Sequence, residues 1–142
     1  MPTDSFDLDR FRVAQDAHGT YDDALAELRR GRKTTHWMWF VFPQIAGLGR
    51  SSTAVFFAIR SLDEARAYLA DPVLGARLRE AAEAVLTAPA ESAEALLGGI
   101  DAVKLRSSMT LFDRAAPEED LYRRVLDRWF AGEDDEGTLA RL

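Results

Sequence analysis

Residues 29 to 49 read RRGRKTTHWMWFVFPQIAGLG, and this stretch concentrates the unusual chemistry of the chain. Four cations and a histidine precede six consecutive apolar residues, Trp37 to Phe42, and a proline and two glycines close the segment. Six apolar residues in a row fit either a buried strand or a short, fully buried helix. Thr34 or Thr35 can serve as an N-cap, and no partner strand is evident nearby. We therefore predict a helix.

Helical signals continue along the rest of the chain. Ser61 and Glu64 form a capping box, Asp71 precedes a proline at a helix start, and Ser92 can cap a further helix. Apolar residues recur at a spacing of three and four, and no two-residue hairpin turn is present. The sequence predicts an all-α protein, with residues 1–142 forming one compact domain of about eight short helices.

Two local expectations concern regions near candidate functional residues. Ser51 or Ser52 is expected to cap a helix that runs through Ile59, with Phe56-Phe57 in the core. Asp101 is expected to cap the helix that carries the apolar stripe Leu105, Met109 and Phe112.

Composition excludes several classes of protein. The chain has no cysteine, which excludes disulfides, thiolate zinc sites and cysteine nucleophiles. The first ten residues lack the basic and apolar segments of a secretory signal, and no apolar run approaches the ~20 residues of a membrane span. We expect a cytoplasmic protein with no membrane partner. Its oligomeric state is left open by the sequence.

Charge is distributed unevenly. The net charge is −6, which argues against nucleic-acid binding by the whole surface. Between Leu28 and Leu62, however, six cations and no acidic residue occur, and a second acid-free window spans Ala102 to Phe112. These windows predict a positive potential suited to an anion. Apolar core segments also contain few acids, and that explanation stays open.

The two lysines fall in these two windows. The chain has 16 arginines but only two lysines, Lys33 and Lys104. An ammonium is a compact point charge, whereas a guanidinium is a planar fork. Lysines retained against this bias are candidates for a specific role, and chance is the alternative.

The first candidate ligand-binding group lies around the aromatic run and comprises Arg32, Lys33, His36, Trp37 and Gln44. His36 is also a candidate proton-transfer group, with a capping or core histidine as the alternative. Indoles beside cations suit a base or sugar ring, although most tryptophans belong to the core.

The glycine-rich loop after the run supplies a second group, Gly47, Gly49, Arg50 and Ser51. Converging backbone N–H groups at a helix start can bind an anion. A loop with a serine cap is the simpler reading.

The third group, Lys104, Arg106, Ser107, Ser108 and Thr110, lies on one predicted helix. A lysine and hydroxyls at helical spacing can line the edge of a cleft and suit phosphate or ribose. A solvated polar face is the alternative. Lys104 is also a candidate catalytic residue. No cluster has the spacing of metal ligands, and we predict no metal and no cofactor.

Four blocks of this sequence carry a family resemblance. They are RKTTHWMWFVFPQ from residue 32, GLGRS from residue 47, SLDEARAYLADPVLGARL from residue 61 and KLRSSMTLF from residue 104. In this order they resemble the bacterial family known as domain of unknown function 1810, over about residues 7–142. The resemblance implies a compact all-α fold and brings no activity with it. Members often have tyrosine in place of Phe57 and histidine in place of Asp71, so neither residue is assigned to the site.

These observations predict an uncharacterised helical protein that binds a small anionic ligand, nucleotide-like or ADP-ribose-like, in a cationic and aromatic cleft. If it is an enzyme, we expect a hydrolase acting on a nucleotide or sugar phosphate. The alternative is a protein-interaction module whose basic, tryptophan-rich strip binds an acidic partner. A third hypothesis, binding of RNA or single-stranded DNA, is disfavoured by the acidic remainder of the chain.

Overall fold

The computed structural model describes residues 5–142 and confirms the all-α prediction for them. Residues 1–4, which the sequence analysis assigned to the same domain, lie outside the described residues. The helices are α1 (Asp9–Asp16), α2 (Thr20–Arg30), α3 (Met38–Val41), α4 (Ser52–Phe56), α5 (Leu62–Ala70), α6 (Leu74–Leu86), α7 (Ala93–Leu97), α8 (Gly99–Ala115), α9 (Leu121–Phe130) and α10 (Glu136–Leu139). A 3-10 turn, Ala17–Gly19, joins α1 to α2.

Helix α8 is the centre of the packing. It contacts α5, α7, α9 and α10, and its predicted stripe of Leu105, Met109 and Phe112 is fully buried. The rings of Tyr68 of α5 and Tyr122 of α9 pack at a tilt against the Phe112 ring, with centroids 5.5 and 6.1 Å away. The apolar face of this helix therefore organises the domain around one core.

The aromatic run is helical, as predicted, but only α3 is a helix within it. No side chain caps α3, because the predicted caps Thr34 and Thr35 lie further back and bind Glu27 instead. Trp37 and Phe42, at the two ends of the run, are buried with the residues between them, except that Trp39 is half-buried. The run is mostly core, and it fixes the two loops that flank it.

Glu27 is the buried carboxylate that shapes the loop before α3. Its Oε1 accepts hydrogen bonds from the backbone N–H groups of Thr34 (2.7 Å) and Thr35 (3.0 Å) and from the indole N–H of Trp37 (3.0 Å). Its Oε2 accepts from the Thr35 hydroxyl. Burial raises the pKa of Glu27, but these hydrogen bonds outweigh burial and lower it to about 2. The carboxylate thus supplies the hydrogen-bond acceptors that a turn or a helix cap would otherwise provide for the N–H groups of this loop.

Gly31 ends helix α2. Its φ of 92° is left-handed, and its N–H bonds the carbonyls of Glu27 and Leu28. A Cβ at this position would lie 2.6 Å from the Pro89 carbonyl oxygen. A side chain here would therefore clash as well as strain the backbone.

A buried ion pair fixes the segment between α4 and α5. The Arg10 guanidinium donates to Glu64 Oε2 (2.7 Å) and to the carbonyls of Phe56 (2.9 Å) and Ala58 (2.9 Å). Glu64 is fully buried, and its second oxygen accepts from the N–H of Arg60. Such a pair is stable only because the remaining donors and acceptors are also satisfied.

Two expectations for this region are wrong. Helix α4 ends at Phe56, so Ile59 is not helical; it forms a parallel bridge with Ile45. Phe56 is 56% exposed rather than buried, and its backbone carbonyl accepts a hydrogen bond from Arg10 at the end of the helix. Phe57 is half-buried and contacts the rings of Phe11 and Phe40.

We expect Glu27→Gln to lower the free energy of unfolding at pH 7 by about 2–4 kcal/mol, because a neutral amide cannot satisfy all of these donors. A folded-state pKa below the ordinary value stabilises the fold above about pH 4.5, and this contribution falls as the pH drops towards 2. Urea denaturation of both proteins from pH 7 to pH 3 should show their difference shrinking. The exposed control Glu83→Gln should match wild type, and a difference independent of pH would contradict this role.

Candidate ligand-binding site

Lys33 and Lys104, 71 residues apart in sequence, converge on the carboxylate of Asp101. Lys33 Nζ lies 2.9 Å from Asp101 Oδ2, and Lys104 Nζ lies 3.7 Å from Oδ1. The three side chains are 9%, 21% and 19% exposed for Lys33, Lys104 and Asp101 respectively. The segments of the two lysines therefore meet at one place on the molecule. We call these three side chains the lysine cluster.

Two backbone features place the cluster. The N–H of Lys33 donates to the carbonyl of Leu96 at 2.7 Å, which ties the loop before α3 to α7. Gly98, with a φ of 88°, lets the chain turn directly from α7 into α8. Asp101 and Lys104 follow on the first turns of α8, one turn apart and on the same face.

The expectation that Asp101 caps this helix is wrong. Helix α8 starts at Gly99, two residues earlier, and has no side-chain cap. Asp101 is inside the first turn, where a carboxylate still complements the helix dipole. Its oxygens are engaged by the two lysines instead of by the backbone.

Each lysine also lies over an indole. Lys33 Nζ is 5.2 Å from the Trp37 ring centroid, and Lys104 Nζ is 4.9 Å from that of Trp39. Both distances fall within the range of cation–π attraction. Trp37 is fully buried, so its ring contacts Lys33 from the core side and offers no stacking face to a ligand. Trp39 is half-buried and borders open space.

Two open cavities adjoin the lysine cluster. The first, which we call the His36 cavity, has a volume of about 320 Å³ and is lined by Lys33, His36, Met38, Trp39, Leu97, Gly98, Gly99, Ile100 and Asp101. The second, the Val103 cavity, has a volume of about 380 Å³ and is lined by Gln44, Leu48, Gly49, Ile100, Val103, Lys104, Ser107, Asp135 and Gly137. Ile100 lines both, so the cavities are neighbours. Both volumes are at the small end of ligand pockets.

Six of the predicted site residues line these two cavities. They are Lys33, His36, Gln44, Gly49, Lys104 and Ser107. They come from all three predicted groups, so the fold brings parts of each group together. Within residues 5–142, no cluster of three or more histidine or acidic side chains is placed to hold a metal ion.

The other predicted residues on the first two segments lie elsewhere. Arg32 and Arg50 are exposed and line neither cavity. Gly47 is exposed and lines neither cavity; it lies beside Arg141, whose Nε would be 2.8 Å from a Cβ there. The hydroxyl of Ser51 accepts from the N–H of Ala54 and caps α4.

Three predicted site residues of α8 support the fold instead of lining the two cavities. Arg106 donates to the carbonyls of Glu133 and Asp134 and so holds the segment before α10. Thr110 is fully buried and accepts a hydrogen bond from the N–H of Asp135. Ser108 is also fully buried. Neither hydroxyl is placed to touch a ligand in these cavities, because the helix turns both inward.

The sequence analysis missed Asp101, Ile100 and Val103 as site residues. Asp101 was detectable in principle, since it precedes Lys104 by one helical turn. Ile100 and Val103 resembled ordinary core residues, because a sequence does not show which apolar positions of a helix stay exposed.

The positive potential near the two acid-free windows is weaker in the folded protein than the sequence predicts. Carboxylates from other segments approach the cations of the acid-free windows: Asp101 pairs with Lys33, Glu80 lies 3.9 Å from Arg29, and Glu133 lies 3.4 Å from Arg106. The lysine cluster itself carries a net charge of +1. Any anion bound there is attracted by one uncompensated charge and by directed N–H groups.

Comparison with known families gives a full-length match. The family described as "Protein of unknown function (DUF1810)" matches residues 5–142. The chain belongs to this family. The resemblance expected from the four sequence blocks is thereby confirmed.

A solved structure with the same fold supports this assignment. The chain is similar to the conserved hypothetical protein Rv1873 from Mycobacterium tuberculosis, whose crystal structure was determined at 1.38 Å. The two share 46% sequence identity over 98% of each chain, with a TM-score of 0.94. A search of the curated proteins finds no match. Over the described part of this DUF1810 chain, no helix has the length and apolar character needed to cross a membrane.

We expect Asp101→Asn to lower the free energy of unfolding by about 1–3 kcal/mol, a loss between those of exposed and fully buried ion pairs. The reason is that Lys33, only 9% exposed, loses its counter-charge. Guanidinium denaturation would measure the effect, and adding Lys33→Met should recover part of it. The exposed control Asp127→Asn should stay within about 0.5 kcal/mol of wild type; equal losses in both variants would contradict the assignment.

Proposed function

We propose that this DUF1810 protein binds a small anionic ligand of nucleotide-like or ADP-ribose-like chemistry at the lysine cluster and its two cavities. The supporting observation is the convergence of both lysines of the chain on one carboxylate between adjoining cavities. Core packing alone does not account for this, because the three charged groups line open space rather than filling the interior.

The charge arrangement suits an anion better than a cation. An ammonium has three N–H donors, and Asp101 accepts from Lys33 at 2.9 Å but is 3.7 Å from Lys104. Lys104 is therefore the less committed of the two, and it lines the Val103 cavity. A phosphate or carboxylate oxygen can take its remaining donors.

A nucleotide-like ligand is favoured by the groups around the lysines. The Gln44 side chain supplies both a donor and an acceptor. Ser107 lines the same cavity, and its hydroxyl, which donates to the Val103 carbonyl, can still accept a hydrogen bond. These groups suit sugar hydroxyls or the edge of a heterocycle. Trp39, beside the His36 cavity, offers a partly exposed aromatic surface.

Hydrolysis of such a ligand would use groups already in this place. His36 is exposed and lines the same cavity as Lys33, so it can exchange a proton with a bound ligand or a water. Lys104 would stabilise negative charge on the leaving group or the phosphate. The substrate class would be a nucleotide or a sugar phosphate.

The alternative, a protein-interaction module using a tryptophan-rich strip, requires exposed indoles. Trp37 is fully buried and Trp39 is half-buried. A small ligand entering the cavities is therefore favoured over an acidic protein partner lying on the indoles.

We expect Lys104→Gln to weaken binding of AMP and ADP-ribose by at least about tenfold, a loss of about 1.4 kcal/mol. Thermal-shift titration would measure this, because a ligand at 100 times its dissociation constant adds about 2.7 kcal/mol of stability.

The matched control is Arg30→Gln, which removes an exposed cation of the segment before Lys33 that lines neither cavity. It should bind like wild type. If AMP, ADP-ribose and inorganic phosphate all fail to stabilise the wild-type protein, the proposed function is wrong.

A further inference from the structure

The apolar side chains of Ile100 and Val103 are exposed to solvent. They are 77% and 60% exposed, whereas Leu105, Met109 and Phe112 of the same helix are fully buried. The two residues are one turn apart and share a face of α8. Single exposed apolar residues are common and need no explanation. This pair differs because both side chains line a cavity beside the lysine cluster.

The two cavities differ in chemistry. The His36 cavity has three ionisable groups on its lining, Lys33, His36 and Asp101. In the Val103 cavity, Leu48, Ile100 and Val103 form an apolar wall next to the Lys104 ammonium. The boundary between the cavities runs at Ile100 and at Lys104, which lies over the Trp39 ring.

We propose that the ligand lies across Ile100, with its anionic group at Lys104 and extending toward Lys33 and His36, and with a flat, apolar ring in the Val103 cavity. Ile100 and Val103 then determine specificity, because they cover the ring and discriminate against anions that lack one. This inference rests on the proposed function and adds the orientation of the ligand and the residues that select it. A ligand with one anionic and one flat apolar end matches the two linings better than a uniformly polar sugar phosphate.

The size and walls of the Val103 cavity fit a single ring system. Its volume is about 380 Å³, near the lower end of the range for ligand pockets. Gly137 packs against Leu48 so closely that a Cβ would lie 3.1 Å from Leu48 Cδ2, which closes that wall. Gln44 borders the same cavity and can bond the edge of a heterocycle.

The test compares three probes by isothermal titration calorimetry: inorganic phosphate, ribose 5-phosphate and AMP. They share the phosphate and differ in the sugar and the ring. We expect AMP to bind at least about tenfold more tightly than ribose 5-phosphate, equivalent to about 1.4 kcal/mol. Ile100→Ser and Val103→Ser should each reduce this preference and leave the affinity for ribose 5-phosphate unchanged.

Val13→Ser is the matched control, since Val13 is also helical, is 61% exposed and lines neither cavity. It should keep the wild-type preference. All three positions are exposed, so far-ultraviolet circular dichroism and thermal melting should show folded variants.

The results separate this inference from the proposed function. Equal affinity for AMP and ribose 5-phosphate would overturn the inference and leave anion binding at the lysine cluster standing. A preference for AMP that survives both α8 substitutions would also overturn it, because the ring would then lie elsewhere. Binding of none of the three probes would overturn both.

Discussion

A single buried carboxylate organises the part of the molecule on which the candidate site depends. Glu27 is 4% exposed and binds two backbone N–H groups, a hydroxyl and an indole N–H. The indole N–H of Trp37 is fully buried and would otherwise be left without a partner, at a cost of about 1–3 kcal/mol. Because the carboxylate holds Thr34, Thr35 and Trp37, it also fixes the directions of the residues between and beside them, Lys33 and His36.

The loop after α2 lies between the carboxylates of Glu27 and Asp101, which have different structural roles. Glu27 fixes its backbone from the core side, and Asp101 holds the Lys33 ammonium on the outer side. Trp37 connects the two, since its N–H bonds Glu27 while its ring lies under Lys33. This arrangement keeps a lysine nearly buried beside open space without leaving its charge uncompensated. Preorganised groups of this kind bind ligands without paying for their own ordering.

Local patterns predicted the fold because local forces form most of it. Ser61 and Ser92 cap the helices expected of them, and the stripe on α8 is buried at the expected spacing. The candidate site was predictable only as separate segments. Its central residue, Asp101, resembles a helix cap in the sequence, because its partner Lys33 is 68 residues away. The acid-free windows overstate the positive potential, because folding brings carboxylates from other helices to some of those cations.

The separations of these contacts also set an order for folding during synthesis. The Glu27 hydrogen bonds join residues 7 to 10 apart, so closing them costs little chain entropy. The Lys33–Asp101 pair spans 68 residues, and contacts of such separation close late. Both sides of the lysine cluster are therefore present only after α8 has been synthesised. Ligand recognition would then be a property of the finished domain, acquired in one of its last steps.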